Sequence, residues 1–290
     1  MRKLTTILLI VFAAAAAFAD AKYDINGSVE WDTLQIKAAV SMELASAGIK
    51  LPAGRFQGEA LVYSGYLKMI RSGILDVQVD SSSTIGDLVE RGEFSLADAE
   101  TLALQAKRVP AVLSPDFKNM LASYTLNIAA VSSALLRHEK PSQIMRTLNP
   151  IAAQAFTGII IIASESLPAH GMKSSALPVP CLFPKIWDTE MNLVYERNMF
   201  ELKNAAMASY SHQESIFQNN PSGLSDDLKA LVGERPLRIF ARGVFGTKPT
   251  DLIIDREDAR TIISSNENRR LLSEGRVAII LDSSVLRQKF

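Results

Sequence analysis

The sequence has one cysteine, three histidines and no excess of charge of either sign. Cys181 is the only cysteine among 290 residues, so no disulfide can form within the chain and stability has to come from packing. The 31 basic and 31 acidic residues balance, which argues against a nucleic-acid-binding protein and against a polybasic membrane-surface protein. With 48% hydrophobic residues, a chain of this length can bury a large core without a covalent staple.

No apolar run reaches the roughly 20 residues that a membrane-spanning helix needs. The longest run follows Arg2 and Lys3 and ends at Ala17-Phe18-Ala19, the pattern of a secretory signal peptide over residues 1–19 with an A-x-A cleavage site. No cysteine stands at the cleavage point to carry a lipid anchor. We therefore expect cleavage near Ala19, a periplasmic or secreted product, and no transmembrane segment in the mature chain.

Hydrophobic periodicity predicts the elements of the first half. Strict alternation predicts strands over 33–44 and 119–128. Between them, apolar residues at steps of four and three predict an amphipathic helix over 54–73, and alternation over 75–79 predicts a further strand. These elements give a strand-helix-strand opening unit. Ser95 and Asp98, at the spacing of a capping box, predict the start of a second helix.

The second half shows the same mixture of periods. The β-branched run over 157–163 predicts a central strand covered on both faces. The other expected elements are a hairpin over 186–195, a polar exposed insertion over 209–225, strands over 237–241 and 277–281, and a helix capped by Asp255. The proline-containing stretch 138–150 is the best boundary. We expect an α+β fold, mostly antiparallel sheet with packed helices, with domains over 20–149 and 150–290 that can pack as one unit.

Residues that could carry catalysis are few. Ser164 and His170 follow the predicted central strand, where open sheets often place sites, so an exported hydrolase using this pair is one alternative. The other histidines, His138 and His212, form no H-E-x-x-H motif, and neither a G-x-S-x-G elbow nor a phosphate loop is present. Cys181 is read as a buried structural thiol. We expect no enzyme activity, no catalytic residue and no cofactor.

A second alternative is a metal-dependent adhesion module. Asp80, Ser82 and Thr84 give a D-x-S-x-T spacing that resembles the metal-ion-dependent adhesion site of von Willebrand A domains, whose oxygen ligands suit a hard divalent cation. The strand predicted before Asp80 has one polar face, unlike the buried strand that such a site follows. An aspartate beside serines also caps helices. We therefore favour Asp80 as the cap of a short helix over 85–91, without metal.

One local concentration of charge is the candidate interaction surface. Its members form a basic stripe that could meet an anionic partner: Arg235, Arg238, Arg242 and Lys248. The alternative is a solvated strand face whose charge is balanced by neighbouring aspartates: Asp251, Asp255 and Asp258.

Two blocks of the sequence resemble one family. The first is the helix over 54–73 followed by Val77-Gln78-Val79-Asp80-Ser81, Thr84 and Asp87. The second contains Thr157-Gly158-Ile159-Ile160, Arg235-Pro236-Leu237-Arg238-Ile239-Phe240-Ala241, Asp251-Leu252-Ile253-Ile254-Asp255 and Arg276-Val277-Ala278-Ile279-Ile280-Leu281-Asp282. Together they resemble the small bacterial outer-membrane lipoproteins and the related FlgP-type flagellar proteins, except that the lipid-attachment cysteine is absent.

This resemblance implies a non-enzymatic structural or interaction protein of the bacterial cell envelope. Several members of that family are associated with the flagellar basal region, so the implied partner is an envelope or flagellar protein, with self-association as a further option. The resemblance also implies an α+β fold with antiparallel sheet and packed helices.

Overall fold

The computed structural model describes residues 23–136, 140–201 and 206–290. The predicted signal peptide and His138 lie outside the described residues. Within them, no helix is both long enough and apolar enough to cross a membrane.

The described elements are seven helices and fourteen strands, which confirms the α+β class. The helices are α1 (Arg55–Leu75), α2 (Ile85–Glu90), α3 (Leu96–Leu104), α4 (Ile128–Leu135), α5 (Asp226–Val232), α6 (Arg256–Ser264) and α7 (Asn266–Ser273). The strands are β1 (Tyr23–Glu30), β2 (Gln35–Glu43), β3 (Lys107–Leu113), β4 (Asn119–Asn127), β5 (Ile159–Ile162), β6 (Leu167–Pro168), β7 (Ser175–Ala176), β8 (Ile186–Asp188), β9 (Leu193–Tyr195), β10 (Ser209–His212), β11 (Leu237–Phe245), β12 (Asp251–Ile254), β13 (Val277–Leu281) and β14 (Arg287–Lys289).

The first half is an antiparallel sheet with helices on one face. Its five strands are ordered β14-β1-β2-β4-β3, and Ile36 on β2 stands opposite Leu126 on β4. Alternate residues of both strands are buried as predicted. Helix α1 packs on this face, where the ring of Tyr66 stacks on that of Tyr124 at a centroid distance of 4.1 Å. The sheet therefore has one face in the core and one facing solvent.

The second half is a seven-stranded mixed sheet ordered β10-β13-β5-β11-β12-β8-β9. Four pairings are parallel and two, β11 with β12 and β8 with β9, are antiparallel. Strand β5 lies between β13 and β11, and Ile159, Ile160 and Ile161 are fully buried, as its β-branched composition predicts. Antiparallel pairings still outnumber parallel ones over the two halves.

The last strand joins the halves. Strand β14 follows the C-terminal sheet in sequence but pairs with β1 at the edge of the N-terminal sheet. The aromatic ring of Phe290 lies where a Cβ on Gly27 or Gly73 would stand, at 2.2 Å and 2.5 Å from its ring atoms. The two glycines therefore form a slot for this ring between β1 and α1.

Three expectations about elements are wrong. The strand over 75–79 does not form, because α1 continues to Leu75 and Gln78 makes only an isolated bridge to Thr84. The chain therefore opens as strand-strand-helix, with β1 unforeseen because its residues Tyr23–Glu30 are mostly polar and include a glycine. The stretch 209–225 is not an exposed insertion, since Tyr210 and Leu224 are buried and β10 pairs with β13.

Candidate interaction surface

The two hydrolase candidates, Ser164 and His170, are not joined by a hydrogen bond in the described structure. Ser164 follows β5, and His170 follows β6 with its ring edge-on to Phe245 at a centroid distance of 5.8 Å. The backbone N–H of His170 donates to the Val244 carbonyl at 2.8 Å. Within the described ranges, the side chains of Ser164 and His170 share no hydrogen bond, so they form no nucleophile–base pair of the kind that acyl transfer uses.

The residues of the adhesion-like motif, Asp80, Ser82 and Thr84, take part in two separate sets of hydrogen bonds. Asp80 Oδ1 accepts hydrogen bonds from the backbone N–H and the hydroxyl of Ser82, at 2.9 and 2.8 Å. The hydroxyl of Thr84 instead donates to Asp87 Oδ2 at 3.0 Å. Across the part of the chain that the structure describes, no group of three or more histidine, cysteine or acidic side chains is arranged to hold a metal ion.

The expectation that Asp80 caps the following helix is wrong. Thr84 is the N-cap of α2, accepting from the N–H of Asp87 at 3.2 Å. Asp87 completes a capping box by accepting the Thr84 N–H at 2.7 Å. These hydrogen bonds from Thr84 lower the pKa of Asp87. The bridge between Gln78 and Thr84 closes the turn, so the helix starts at Thr84 rather than beside Asp80.

Asp251 does not balance the basic stripe, because it is buried at the junction of the two halves. Its Oδ2 atom accepts from the Ser81 hydroxyl at 3.2 Å and from Trp187 Nε1 at 3.4 Å. Its Oδ1 atom accepts from the Lys185 N–H and the Thr250 hydroxyl, both at 3.3 Å. Burial raises the pKa of Asp251, against the lowering effect of these donors. Its contacts assign this carboxyl to the junction.

Cys181 lies close to the same junction and is a free, fully buried cysteine. Burial raises the pKa of its thiol far above the ordinary value. Tyr210 holds the backbone on both sides, because its hydroxyl donates to the Cys181 carbonyl at 2.7 Å and accepts the Cys181 N–H at 3.1 Å. The thiol is therefore placed as a structural residue, in agreement with the sequence.

The basic stripe is dispersed over the surface. Arg238 donates to the Ser222 carbonyl at 2.8 Å, and Arg242 forms an ion pair with Asp255 at 2.5 Å. Arg235 lies before β11 and Lys248 in the turn beyond it. Only Arg238 and Arg242 therefore share the exposed face of one strand.

A phenylalanine lies between these two arginines. Along β11 the side chains of Ile239 and Ala241 face the core, and those of Arg238, Phe240 and Arg242 face outward. The ring of Phe240 is 63% exposed, although β11 is an interior strand paired with β5 and β12. We call Arg238, Phe240 and Arg242 the Phe240 patch.

The elements that cover this face of the sheet stop on either side of the patch. On one side, α5 covers β5 and β13, where Leu228 and Val232 pack with Ile160. On the other side, β6 and the residue after it lie against β11: a Cβ on Gly243 would lie 2.9 Å from the Pro168 carbonyl oxygen, and Ala169 makes a parallel bridge to Val244. The gap between them exposes Phe240, which is the last residue of β11 paired with β5, next to Ala241, where the pairing with β12 begins.

Two known families match the chain, with residues 135–157 between the matched ranges. Residues 22–134 match the family described as Treponema pallidum Tp0624, N-terminal domain. Residues 158–283 match the family described as Treponema pallidum Tp0624, second domain. The two halves are thus similar, in chain order, to two domains of Tp0624. No curated protein matched the chain.

Each site residue described above can be assigned to one of the two Tp0624-like regions. The Phe240 patch lies wholly in the region similar to the second Tp0624 domain, and Ser81 lies in the region similar to the N-terminal one. The Ser81–Asp251 hydrogen bond therefore connects the two Tp0624-like regions. Strand β14 lies outside both matched ranges.

Sequence reasoning overlooked Phe240. The alternation that assigns Ile239 and Ala241 to the core also assigns Phe240 to the same outer face as Arg238 and Arg242. An aromatic residue between two arginines on an outer strand face was therefore the available signal.

Proposed function

We propose that the chain is an exported, non-enzymatic binding protein of the bacterial cell envelope, with the Phe240 patch as its contact for a protein partner. The single observation that carries this proposal is the exposed Phe240 ring between two arginines on an interior strand. Aromatic residues and arginine are the types enriched at the energetically important centres of protein interfaces.

The surroundings of the ring favour binding energetically. Covering an exposed phenylalanine is worth about 1.5–3 kcal/mol. Strand β11 is already ordered by pairing with β5 up to Phe240 and with β12 from Ala241 onward, so binding costs little further conformational freedom of the backbone. Arg238 uses one guanidinium nitrogen for Ser222 and has further N–H donors for a carboxylate of the partner. Arg242, already paired with Asp255, fits the polar rim of such a contact.

The class of partner proposed here rests on the family resemblance. That resemblance supports an envelope or flagellar protein, and a second copy of this chain is the further option. The hydrolase and adhesion alternatives have less support, since Ser164 and His170 share no hydrogen bond in the described residues and the hydroxyl of Thr84 is bonded to Asp87. Export rests on the signal-peptide pattern of residues 1–19.

The direct test is recovery of the partner from envelope fractions with tagged wild-type, Phe240→Ala and Phe56→Ala proteins. Phe56 is the matched control, since its ring is 81% exposed and lies on α1. We expect Phe240→Ala to lose a protein that wild type and Phe56→Ala both retain, with the same melting temperature in all three. Equal recovery by Phe240→Ala would contradict the assignment of the patch.

A substrate panel separates binding from catalysis. We expect the purified protein to show no turnover of ester, peptide, phosphate or glycan substrates. Hydrolysis that Ser164→Ala or His170→Ala abolishes would replace the binding proposal with the hydrolase alternative.

A further inference from the structure

The turn between β3 and β4 holds a phenylalanine in a left-handed backbone conformation. The Phe117 N–H donates to the Ser114 carbonyl at 2.9 Å, and the Ser114 N–H donates to the Asn119 carbonyl at 2.9 Å. Phe117 has a φ of 56°. Hairpins normally place glycine or asparagine at such a position, because a side chain with a Cβ is unfavourable there.

The ring of Phe117 does not hold this turn together. Asp116 Oδ1 accepts from the Ser114 hydroxyl at 2.5 Å and from the Lys118 N–H at 3.2 Å, and the Asn119 N–H donates to the Ser114 hydroxyl at 2.9 Å. The ring itself is 65% exposed. A strained residue with an exposed ring is poorly explained by folding stability, and this points to a contact outside the chain.

The rest of the hairpin is apolar and basic. The side chains of Val109 and Val112 on β3 are more than half exposed, and with Leu121 they line an open cavity of about 310 Å³. Between residues 107 and 127 there are three basic side chains and one acidic one: Lys107, Arg108, Lys118 and Asp116. Hydrogen bonds from the Ser114 hydroxyl and the Lys118 N–H lower the pKa of Asp116, so this carboxylate keeps its charge. With three basic groups against one acidic group, the hairpin carries a net charge of +2 around apolar side chains.

The edge of β3 is poorly suited to pairing with a strand of another protein. Pro110 lacks a backbone N–H, and the pairing of β3 with β4 shifts register between Val109 and Val112. Proline and irregular register are the features that block strand addition at a sheet edge. A binding partner that needs no backbone pairing, and that has negative charge at its surface and an apolar interior, suits this hairpin better than a strand of another protein does.

We propose that the β3–β4 hairpin docks on an anionic lipid surface. Phe117 inserts at the boundary between headgroups and acyl chains, and Lys107 and Lys118 face the negative headgroups. Arg108 is not part of this contact, because its guanidinium lies over the Tyr63 ring at 4.6 Å. The exposed valines lie beside the inserted ring. This surface is separate from the Phe240 patch, so it stands whether or not that patch binds a protein.

Cosedimentation of the purified chain with vesicles tests the proposal. One set of vesicles contains phosphatidylcholine with phosphatidylglycerol, and the other contains phosphatidylcholine alone. We expect binding to the anionic vesicles, weakened by salt, and little binding to the neutral ones. Phe117→Gly should weaken binding by about tenfold or more, the amount expected for loss of one buried phenylalanine ring.

Phe117→Gly is informative because glycine suits the left-handed position. Its melting temperature should equal or exceed that of wild type, so lost binding cannot be attributed to misfolding. Phe56→Ala removes another exposed ring and Phe240→Ala removes the proposed protein contact, and both should bind vesicles like wild type. The proposal is overturned by wild-type protein that ignores anionic vesicles, by full binding of Phe117→Gly, or by an equal loss in Phe56→Ala.

Discussion

The hydroxyl of Ser81 donates a hydrogen bond to Oδ2 of Asp251 at 3.2 Å, across 170 residues of sequence. The Lys248 N–H donates to the Ser81 carbonyl at 2.8 Å in the same contact. Gly246 makes the approach possible, because its φ is 105° and a Cβ there would lie 2.3 Å from the Ser81 Cβ. The serine-rich loop that resembles a metal site thus serves to dock the N-terminal half on the C-terminal half.

The buried carboxyl at this junction predicts a pH dependence of stability. Because burial raises the pKa of Asp251, its ionised form is less favourable in the folded state than in the unfolded chain. The stabilising contribution of Asp251 to the free energy of unfolding is therefore fully present below the ordinary carboxyl pKa. It is lost as the pH rises through the raised pKa of the folded state. Asp251→Asn removes this titration and leaves one buried donor facing an amide N–H, at a cost of about 1–3 kcal/mol.

Urea unfolding of wild type and Asp251→Asn from about pH 4 to about pH 7 measures the effect. The free energy of unfolding of wild type minus that of the variant should be largest at the acidic end and should fall as the pH rises. Subtracting the variant cancels every titration that the two proteins share. A difference that stays constant or grows with pH would show that Asp251 is not destabilised in its ionised form.

Because the Phe290 ring lies in the slot beside Gly73, substitutions at these two positions should be energetically coupled. In wild type, Gly73→Ala places a methyl group against the Phe290 ring and close to Ile36, so the clash opposes the gain in helix propensity. When Phe290→Ala removes the ring, the same change should stabilise α1 by up to about 1 kcal/mol. A double-mutant cycle should therefore give an interaction energy of about 1 kcal/mol or more. Additive effects would mean that the ring does not occupy the slot.

Substitutions at Thr84 and Asp80 test which of the two residues caps α2. Thr84→Ala should lower the free energy of unfolding by about 1 kcal/mol, because it removes the N-cap of α2. Asp80→Ala should have a smaller effect, because it removes only exposed bonds to Ser82. Neither loss should change with chelator, magnesium or calcium. A wild-type melting temperature that rises by several degrees with either ion, and an Asp80→Ala protein that lacks the rise, would favour the adhesion module.

A charge in the N-terminal sheet tests the register of its central strands. Leu126 is 2% exposed and stands opposite Ile36. Leu126→Asp should abolish soluble expression, because burying an unpaired carboxylate costs several kcal/mol. Leu121→Asp is the control on the same strand, since Leu121 belongs to the opposite, partly exposed face, and this variant should remain soluble. Wild-type melting by Leu126→Asp would show that the register is misassigned.

The sequence predicted elements best where burial alone sets the pattern. Strands β2, β4, β5 and β11 and helices α1 and α3 follow from periodicity, and the Ser95–Asp98 capping box forms with a 3.0 Å bond. The strand over 75–79 is absent because α1 continues to Leu75, and the residues that follow are bonded to a distant segment. The N–H groups of Leu182 and Phe183 donate to the Gln78 and Val79 carbonyls, both at 2.9 Å, and no local pattern reports a partner a hundred residues away.

The candidate sites were harder to predict because they depend on what covers each surface. Arg238 and Arg242 were correctly placed on one strand face, and alternation could have added Phe240. The gap that exposes Phe240 lies between α5 and β6, which are far apart in sequence. The position of Asp251 was misjudged for the same reason, since no local pattern reports the loop of Ser81 that contacts its buried side chain.

Photo-crosslinking in living cells tests the central claim most directly. A benzophenone amino acid replaces Phe240 in one protein and Phe56 in the control, and the adducts are compared after irradiation. We expect a protein adduct from position 240 that Arg238→Glu suppresses, and no such adduct from position 56. The absence of any adduct at position 240, or the same adduct from both positions, would contradict a partner contact at the Phe240 patch.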